Sequence, residues 1–440
     1  MDKPARQSLN RQILSLALPA LGSLMAEPLL TMADSILVGH VGTLELAGLA
    51  IGSTILTLIV GICIFLAYTT TAVTGRAVGA GKQGEGLRLG IQGMWLGAVL
   101  GAVLAVILII FSPQIVGLFS PQPPVATFAR LYLIASAPGL VAMLSVLAAT
   151  GVLRALLDTR TPLVVTTLGA LLNVPLSAFL IFGCSWGVAG AGAGTAISQF
   201  FMATWMWAVI VKKLRVEGVS ARPHPQLVLR SGLHGVPLVC RSLFLQASIV
   251  VTTWQAASFG ADTLAGYQIL KSLWVLGAFG LDALAISAQA LLANALGEGD
   301  KHRIRALIGR LNRWALASGA LIGLFLALSS PFLPQLFTSD PQVLSLTTTG
   351  LIVVGLVQPL AALTYIYDGY LIGADDSKYL ATAMAIVFVI YLPAILLVRL
   401  LPARSLALAG IWAAYGIVFM GGRTASLWLR IRGDAWLKHS

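Results

Sequence analysis

Helix-punctuating residues recur along this chain at a constant spacing of 218 positions: Pro19 and Pro237, Gly42 and Gly260, Gly79 and Gly297, Ser112-Pro113 and Ser330-Pro331, Gly151 and Gly369. Leu46-Ala47-Gly48 and Leu264-Ala265-Gly266, Leu118-Phe119 and Leu336-Phe337, and Asp158 and Asp376 fall in the same ungapped register. The chain is therefore a tandem duplication, and any fold it adopts must be built twice. What the halves share is backbone geometry; where they differ, the difference points to function.

Of 440 residues, 58% are hydrophobic and only 10% charged, with a mean hydropathy of +0.91. A soluble domain cannot keep its surface wet on that composition. Apolar runs of about 20 residues or more, enough to cross roughly 30 Å of hydrocarbon, lie near 13–38, 47–75, 88–111, 125–150, 161–183 and 187–211. Six more lie near 231–258, 263–293, 308–330, 341–371, 378–400 and 405–428. No β-barrel alternation is present. The runs predict an all-α membrane protein of twelve transmembrane helices. The first run follows a short polar leader without a small-residue cleavage site, and so reads as a helix, not a signal peptide.

Six helices per half give both repeats the same orientation. They are thus expected as two six-helix bundles related by a pseudo-two-fold axis along the membrane normal. The longest polar interruption, KKLRVEGVSARPHPQLVLR at 212–230, is expected as a cytoplasmic linker between an N-terminal lobe, 1–211, and a C-terminal lobe, 231–440.

The net charge of +12 could suggest nucleic acid, but its placement argues otherwise. Alternate connections are basic, and 23 of the 28 Lys and Arg fall on one side, Arg76, Arg154, Arg160 and Arg423 among them. Arg130, Arg399 and Arg404 fall on the other side, and Arg241 and Lys271 lie inside runs. This bias predicts both termini in the cytoplasm and a multi-pass protein of the inner membrane, with lipid and not nucleic acid as its surroundings. Cys63, Cys184 and Cys240 have neither pairing nor metal-ligand spacing. GVAGAGAGTA at 187–196 lacks the preceding strand and closing Lys of a phosphate loop, and reads as close helix packing. Five scattered histidines form no triad or HExxH motif, so neither an enzyme nor a metal site is expected.

Glu27, Asp34, Asp282 and Asp368 lie within apolar runs. A central Asp costs roughly 2.5 to 3.5 kcal/mol on insertion scales, so such residues face a wet cavity, a partner or a proton path. Glu27 and Asp34, seven apart, share one face of the first run at about 10 Å axial separation, with Pro28 between them. No base is expected inside the N-terminal half to neutralise them. In the C-terminal half, Asp282 and Asp368 coexist with Arg241 and Lys271, which predicts a neutralised network serving structure or transport. Across the 218-residue shift Asp34 becomes Thr252 and Glu27 becomes Leu245.

With these features the chain resembles the multidrug and toxic compound extrusion (MATE) transporters, in particular their DinF-like branch. The resemblance rests on LALPALGSLMAEPLLTMADSILVGHVGTLELAG, TTTAVTGRAVGAGK, GVAGAGAGTAIS, LDALAISAQALLANALGEGD and YDGYLIGADD. It implies two bundles around a central cavity that exchange H+ or Na+ for organic cations or amphipathic drugs, with no other cofactor. Matched position by position, it gives Asp34, Glu27 and Asn173 as cation-coupling residues and Thr195 as a threonine of the N-lobe site. Two positions depart from the branch: Ser177 stands where several members carry Asp, and Gln289 where Glu is common. Glu27 is the expected replacement for the missing carboxylate.

Met25, Met32, Asp34, Asn173, Ser177 and Thr195 are the candidate cargo-binding residues, in a chain expected to act as a monomer. A lipid-linked oligosaccharide flippase is the competing reading, and would need intramembrane Arg or Lys in the N-terminal half. A non-transporting membrane scaffold is the third.

Overall fold

The computed structural model describes residues 3–119, 122–401, 406–433 and 436–437, with side chains from residue 9 onward except that of Glu27. Arg404 and Lys438, and the side chains of Lys3 and Arg6, therefore lie outside the described residues. Within them the secondary structure is helical, without a strand.

The first repeat comprises α1 (Lys3–Gly39), α2 (Thr43–Ile62), α3 (Phe65–Gly79), α4 (Gln83–Gly117), α5 (Pro123–Ser136), α6 (Gly139–Ala155), α7 (Arg160–Ala178) with a π turn (Phe179–Gly183), and α8 (Val188–Val216). The second comprises α9 (Pro225–Ser258), α10 (Ala261–Glu298), α11 (Lys301–Leu328), α12 (Pro341–Gly373), α13 (Ser377–Leu397), α14 (Ala407–Ala413), a π segment (Ala414–Met420) and α15 (Gly421–Arg432).

Ten described helical stretches are long and apolar enough to span a membrane, and eleven if α5 and α6, bent by 56° at Ala137-Pro138, form one span. The twelfth expected run is helical too, but its π segment divides it into pieces each shorter than a span. Periodicity could not reveal this break, because the wider turn keeps Trp412, Tyr415 and Phe419 all buried.

Two compact units emerge. One holds Ser15–Val236 with Gly297–Gly299, the other Met1–Leu14, Pro237–Leu296 and Asp300–Ser440. The change of unit falls inside α9, between Val236 and Pro237. The polar stretch expected as a linker is largely helical, since Lys212–Val216 close α8 and 225–230 open α9. The turn between them is tied to α4. Trp95 Nε1 donates to the Ala221 carbonyl at 2.9 Å, and Gln92 Oε1 accepts from His224 N–H at 2.8 Å.

Inside the first unit, small residues set the helix spacing. A Cβ on Gly97 or Gly101 of α4 would lie 2.5 Å from the backbone of α6, and one on Gly151 of α6 would lie 2.5 Å from the Ala67 carbonyl of α3. Lipid tails supply no hydrophobic drive between helices, so backbone approach of this kind must carry the packing. Hydroxyls add to it: Thr70 donates to the Ala148 carbonyl at 3.2 Å and Thr71 to that of Gly151 at 3.1 Å.

Candidate functional site

On α1 the buried positions Ile13, Leu16, Ala17, Ala20, Leu30, Asp34 and Val38 follow a helical stripe, so Asp34 takes a place that packing otherwise gives to an apolar side chain. It is 2% exposed. The next helix face comes from α7, where Val165, Gly169, Asn173 and Ser177 are buried at four-residue intervals. The third is α8, whose Gly190, Ala191, Gly194 and Thr195 let it approach α7. A Cβ on Gly194 would stand 2.4 Å from Ser177 Oγ and 3.0 Å from Ser177 Cα.

These three helices converge on one carboxylate. Thr195 Oγ1 donates to Asp34 Oδ2 at 2.9 Å, and the Ser177 hydroxyl also hydrogen-bonds Asp34. The Asn173 amide takes the orientation that satisfies both its ends: Nδ2 donates to Asp34 Oδ1 at 3.1 Å, and Oδ1 accepts from Thr195 N–H at 3.2 Å. All four residues are buried. Among the described residues no Lys or Arg pairs with Asp34. A buried acid held only by neutral donors can lose or gain its proton without breaking an ion pair.

Gly194→Ala is expected to force α7 and α8 apart, because the clash includes Ser177 Cα, which cannot rotate away. Overpacking of this kind costs about 1–3 kcal/mol. The check is a lowered midpoint of thermal unfolding in detergent together with reduced ion-coupled transport.

Asp34 borders a cavity of about 30 Å³, shared with Thr31, Ser53, Tyr132, Thr195 and Gln199. A second cavity of about 130 Å³ shares Leu30, Val60, Met143 and Gln199 with it and adds Ser23, Thr150, Arg154 and Thr166. Arg154, expected in a connection, is instead 8% exposed in the last turn of α6. The N-terminal half thus holds a buried base close to the end of an apolar run, where a connection was expected. The run pattern missed it because Arg154 sits four residues before the Asp158 turn, where a helix still within the bundle looks like the start of a loop.

Met25 and Met32 are brought to neither cavity. They lie nine and two residues from Asp34, about half a turn round the helix in each case, and are 38% and 55% exposed. Glu27 lies on α1, but its side chain is outside the described residues. Gln289 is buried in α10.

The second unit shows what the duplication kept. At the positions of Asp34, Asn173 and Thr195 it carries Thr252, Tyr391 and Ala413. Thr252 Oγ1 and the Tyr391 hydroxyl are hydrogen-bonded at 2.6 Å. The same pair of positions is therefore in contact in both halves. In the second, Tyr391 packs against Tyr415 and Phe419 with ring centroids 6.2 and 5.3 Å away, and the site is aromatic and without a carboxylate.

The expected network of the C-terminal half forms with a different membership. Arg241 Nη2 donates to Asp368 Oδ2 at 2.6 Å, and Arg423 Nη2 donates to the same oxygen. Arg423, assigned from sequence to an inner segment, is 5% exposed and lies over the Phe419 ring. Asp282 lies on α10 and Asp368 on α12. Lys271, half-buried, makes no ion pair among the described residues, so its expected membership is corrected. It lies eleven residues before Asp282 on α10, about 16 Å along the axis, beyond the reach of that carboxylate.

Comparison with known proteins agrees with this architecture. The MatE family model matches residues 19–179 and 237–397, two segments offset by the same 218 positions as the sequence repeat. Protein DETOXIFICATION 44, chloroplastic, of Arabidopsis thaliana is 29% identical over 98% of this chain and 83% of its own length. DNA damage-inducible protein F of Escherichia coli is 26% identical over 86% of this chain and 84% of its own. Among solved structures, the Vibrio cholerae MATE transporter VcmN in its bent form superposes with a TM-score of 0.88, at 21% identity, over 99% of this chain and 98% of that one. With two matched family segments in repeat register and the all-helical fold, the chain belongs to the MatE family, the MATE multidrug efflux transporters.

Proposed function

We propose that this protein is a secondary antiporter of the inner membrane, acting as a monomer with both termini in the cytoplasm. It exports amphipathic organic cations in exchange for protons, with Asp34 as the coupling residue. The observation that carries this reading is a buried carboxylate held by Thr195, Asn173 and Ser177, beside a cavity and, among the described residues, without a basic partner. Those neighbours favour the proton over Na+. A metal ion needs oxygen lone pairs turned towards it, whereas Thr195, Asn173 and Ser177 present hydrogens to the carboxylate. The Asn173 oxygen is already engaged by the Thr195 N–H.

In the proposed cycle, ionised Asp34 attracts the cationic cargo, and protonation removes that attraction so that the cargo leaves. Linkage then requires cargo and proton to weaken one another by the same factor. Pro28 withholds an N–H from the preceding turn of α1, which gives this helix a place to change shape as Asp34 changes charge.

The test uses vesicles carrying the full chain, an imposed pH or Na+ gradient and a panel of fluorescent cations. Dye movement is expected with the pH gradient and not with the Na+ gradient alone. Dye affinity should fall as pH is lowered, because protonation cancels the charge that holds the cation. Pumping driven by Na+ at uniform pH, or affinity indifferent to pH, would sink the reading. Burial of Arg154 supplies one of the bases that a flippase for a pyrophosphate-linked lipid would need. Movement of such a lipid in the same vesicles would favour that alternative.

A further inference from the structure

We propose that Asn10, Arg310 and Trp314 form a latch on the lead segment of α1, and that its opening limits the rate of transport. The consequence for transport rests on the antiporter reading; the latch itself stands on separate observations.

The first is where the helix belongs. α1 changes unit between Leu14 and Ser15, as α9 does between Val236 and Pro237. The opening turns of α1 are thus part of the second unit, and the remainder is part of the first. A continuous helix passes movement at one end to the other, so a conformational cycle that moves either unit must bend α1 or free its lead segment.

The second is what holds that segment. Asn10 Oδ1 accepts from Arg310 Nε at 2.5 Å and from Trp314 Nε1 at 3.1 Å. The two donors are one turn apart on the same face of α11. Both hydrogen bonds lie within the second unit. On either side of Asn10, Leu9 and Ile13 are buried, Ile13 completely.

The third comes from the duplication. Gln92 of α4 holds the position of Arg310, and Trp95 lies one residue from that of Trp314. They grip the segment that leads into α9: besides the bonds to Ala221 and His224, Gln92 Nε2 donates to the Arg222 carbonyl at 3.2 Å. Asn10 falls opposite Val228, so the grip recurs although the residues that make it do not. The two grips differ in depth. Gln92 is 0% exposed and uses both ends of its amide, so opening that grip would strand a buried polar group. Asn10, Arg310 and Trp314 are only partly buried, and water can take over their hydrogen bonds. The grip before α9 is therefore a fixed mount, and the grip on Asn10 is the one that opens.

Ile13→Cys reports the opening, because a thiol at a fully buried position reacts with a water-soluble maleimide only when the segment leaves its seat. The measurement is labelling of the full chain in detergent, read at position 13 by peptide mass spectrometry and so apart from Cys63, Cys184 and Cys240. Asn10→Ala should speed labelling about tenfold, the factor for losing two ordinary hydrogen bonds. Asn10→Asp turns the contact with Arg310 into an ion pair and should slow labelling roughly threefold. Gln92→Leu should leave it unchanged. In vesicles, turnover should rise with Asn10→Ala and fall with Asn10→Asp, while the cargo KM and the pH profile stay those of the wild type. Trp314→Phe keeps a ring but removes the N–H; its expected gain in labelling, roughly threefold, supplies the test should Asn10→Ala not fold.

Equal labelling in the wild type and both Asn10 variants would overturn the proposal, as would an equal gain from Gln92→Leu, which would mean general loosening. Turnover that falls in both Asn10 variants, or changes in neither, would also overturn it, since the contact would then only hold α1 in place. Absence of cation transport from every variant, with the order of labelling intact, would remove the antiporter reading alone. Proton-coupled export by the wild type, with labelling indifferent to Asn10, would remove this inference alone.

Discussion

Asp34→Asn is expected to abolish proton-coupled export while leaving the protein folded. The substitution keeps the volume and much of the hydrogen bonding at the centre of α1, α7 and α8: Thr195 and Ser177 can still donate to the remaining carbonyl oxygen, and the amide nitrogen can turn towards the cavity wall. What it removes is the exchangeable charge. The pump should then bind its cargo with an affinity that no longer varies with pH, because the group linking the two equilibria has gone. Coupled flux should fall by about 100-fold or more, since losing a functional charge-assisted contact of roughly 3 kcal/mol corresponds to that factor. Two measurements separate this outcome from simple damage. Thermal unfolding in detergent should shift by only a few degrees, and dye binding should persist at a level equal to that of the wild type at low pH. Wild-type coupled flux from Asp34→Asn would place the exchangeable group elsewhere, with Glu27 the first to examine. Asn173→Ala should have a smaller effect of the same sign, because Thr195 and Ser177 would still hold the carboxylate.

Much of this arrangement could be read from residue order, and the reasons are physical. In hydrocarbon every backbone polar group must be satisfied internally, so apolar runs of spanning length can only be helices, and an ungapped repeat must reproduce their packing. The same constraint makes an acid in mid-run conspicuous, which is why Asp34 stood out and why Asn173, Ser177 and Thr195 could be placed beside it by resemblance. Three features were hidden. The face presented by Met25 and Met32 follows from helical phase relative to Asp34, and a motif match does not weigh phase. Arg154 and Arg423 lie near helix ends, where hydropathy cannot distinguish a buried guanidinium from one at the water interface. The expected Lys271 partnership failed because Lys271 and Asp282 share one run, and eleven residues at a rise of about 1.5 Å each hold them too far apart to pair. The two methionines and Lys271 could have been placed by helix geometry alone, whereas the burial of Arg154 and Arg423 is set by neighbours distant in sequence.

That difference between a charge that must move and a charge that must stay leads to the second large effect, in the other half of the chain. Asp368 receives Arg241 from α9 and Arg423 from α15 on one oxygen, all three residues being 5 to 6% exposed. Three helices are thus joined through one carboxylate, and Arg430 adds a tie of the same kind, donating from Nε to Asp376 Oδ2 at 2.6 Å. Replacing Asp368 with Asn keeps the shape but leaves two guanidinium groups facing each other without their shared counter-ion. Breaking a buried pair by removing one partner costs about 3–5 kcal/mol, so Asp368→Asn should lower yield and thermal stability sharply.

The converse substitution distinguishes a structural bond from a transport site. Arg241→Met, Asp368→Leu and Arg423→Met combined remove the whole set, and well-packed apolar replacements of a buried ionic triad are commonly neutral or stabilising. The triple variant is therefore expected to regain wild-type stability, and, if the exchangeable carboxylate is Asp34, proton-coupled export as well. Recovery of stability without export would assign Asp368 a part in the transport cycle. Failure to recover either would show that the second unit depends on these charges for more than their mutual neutralisation.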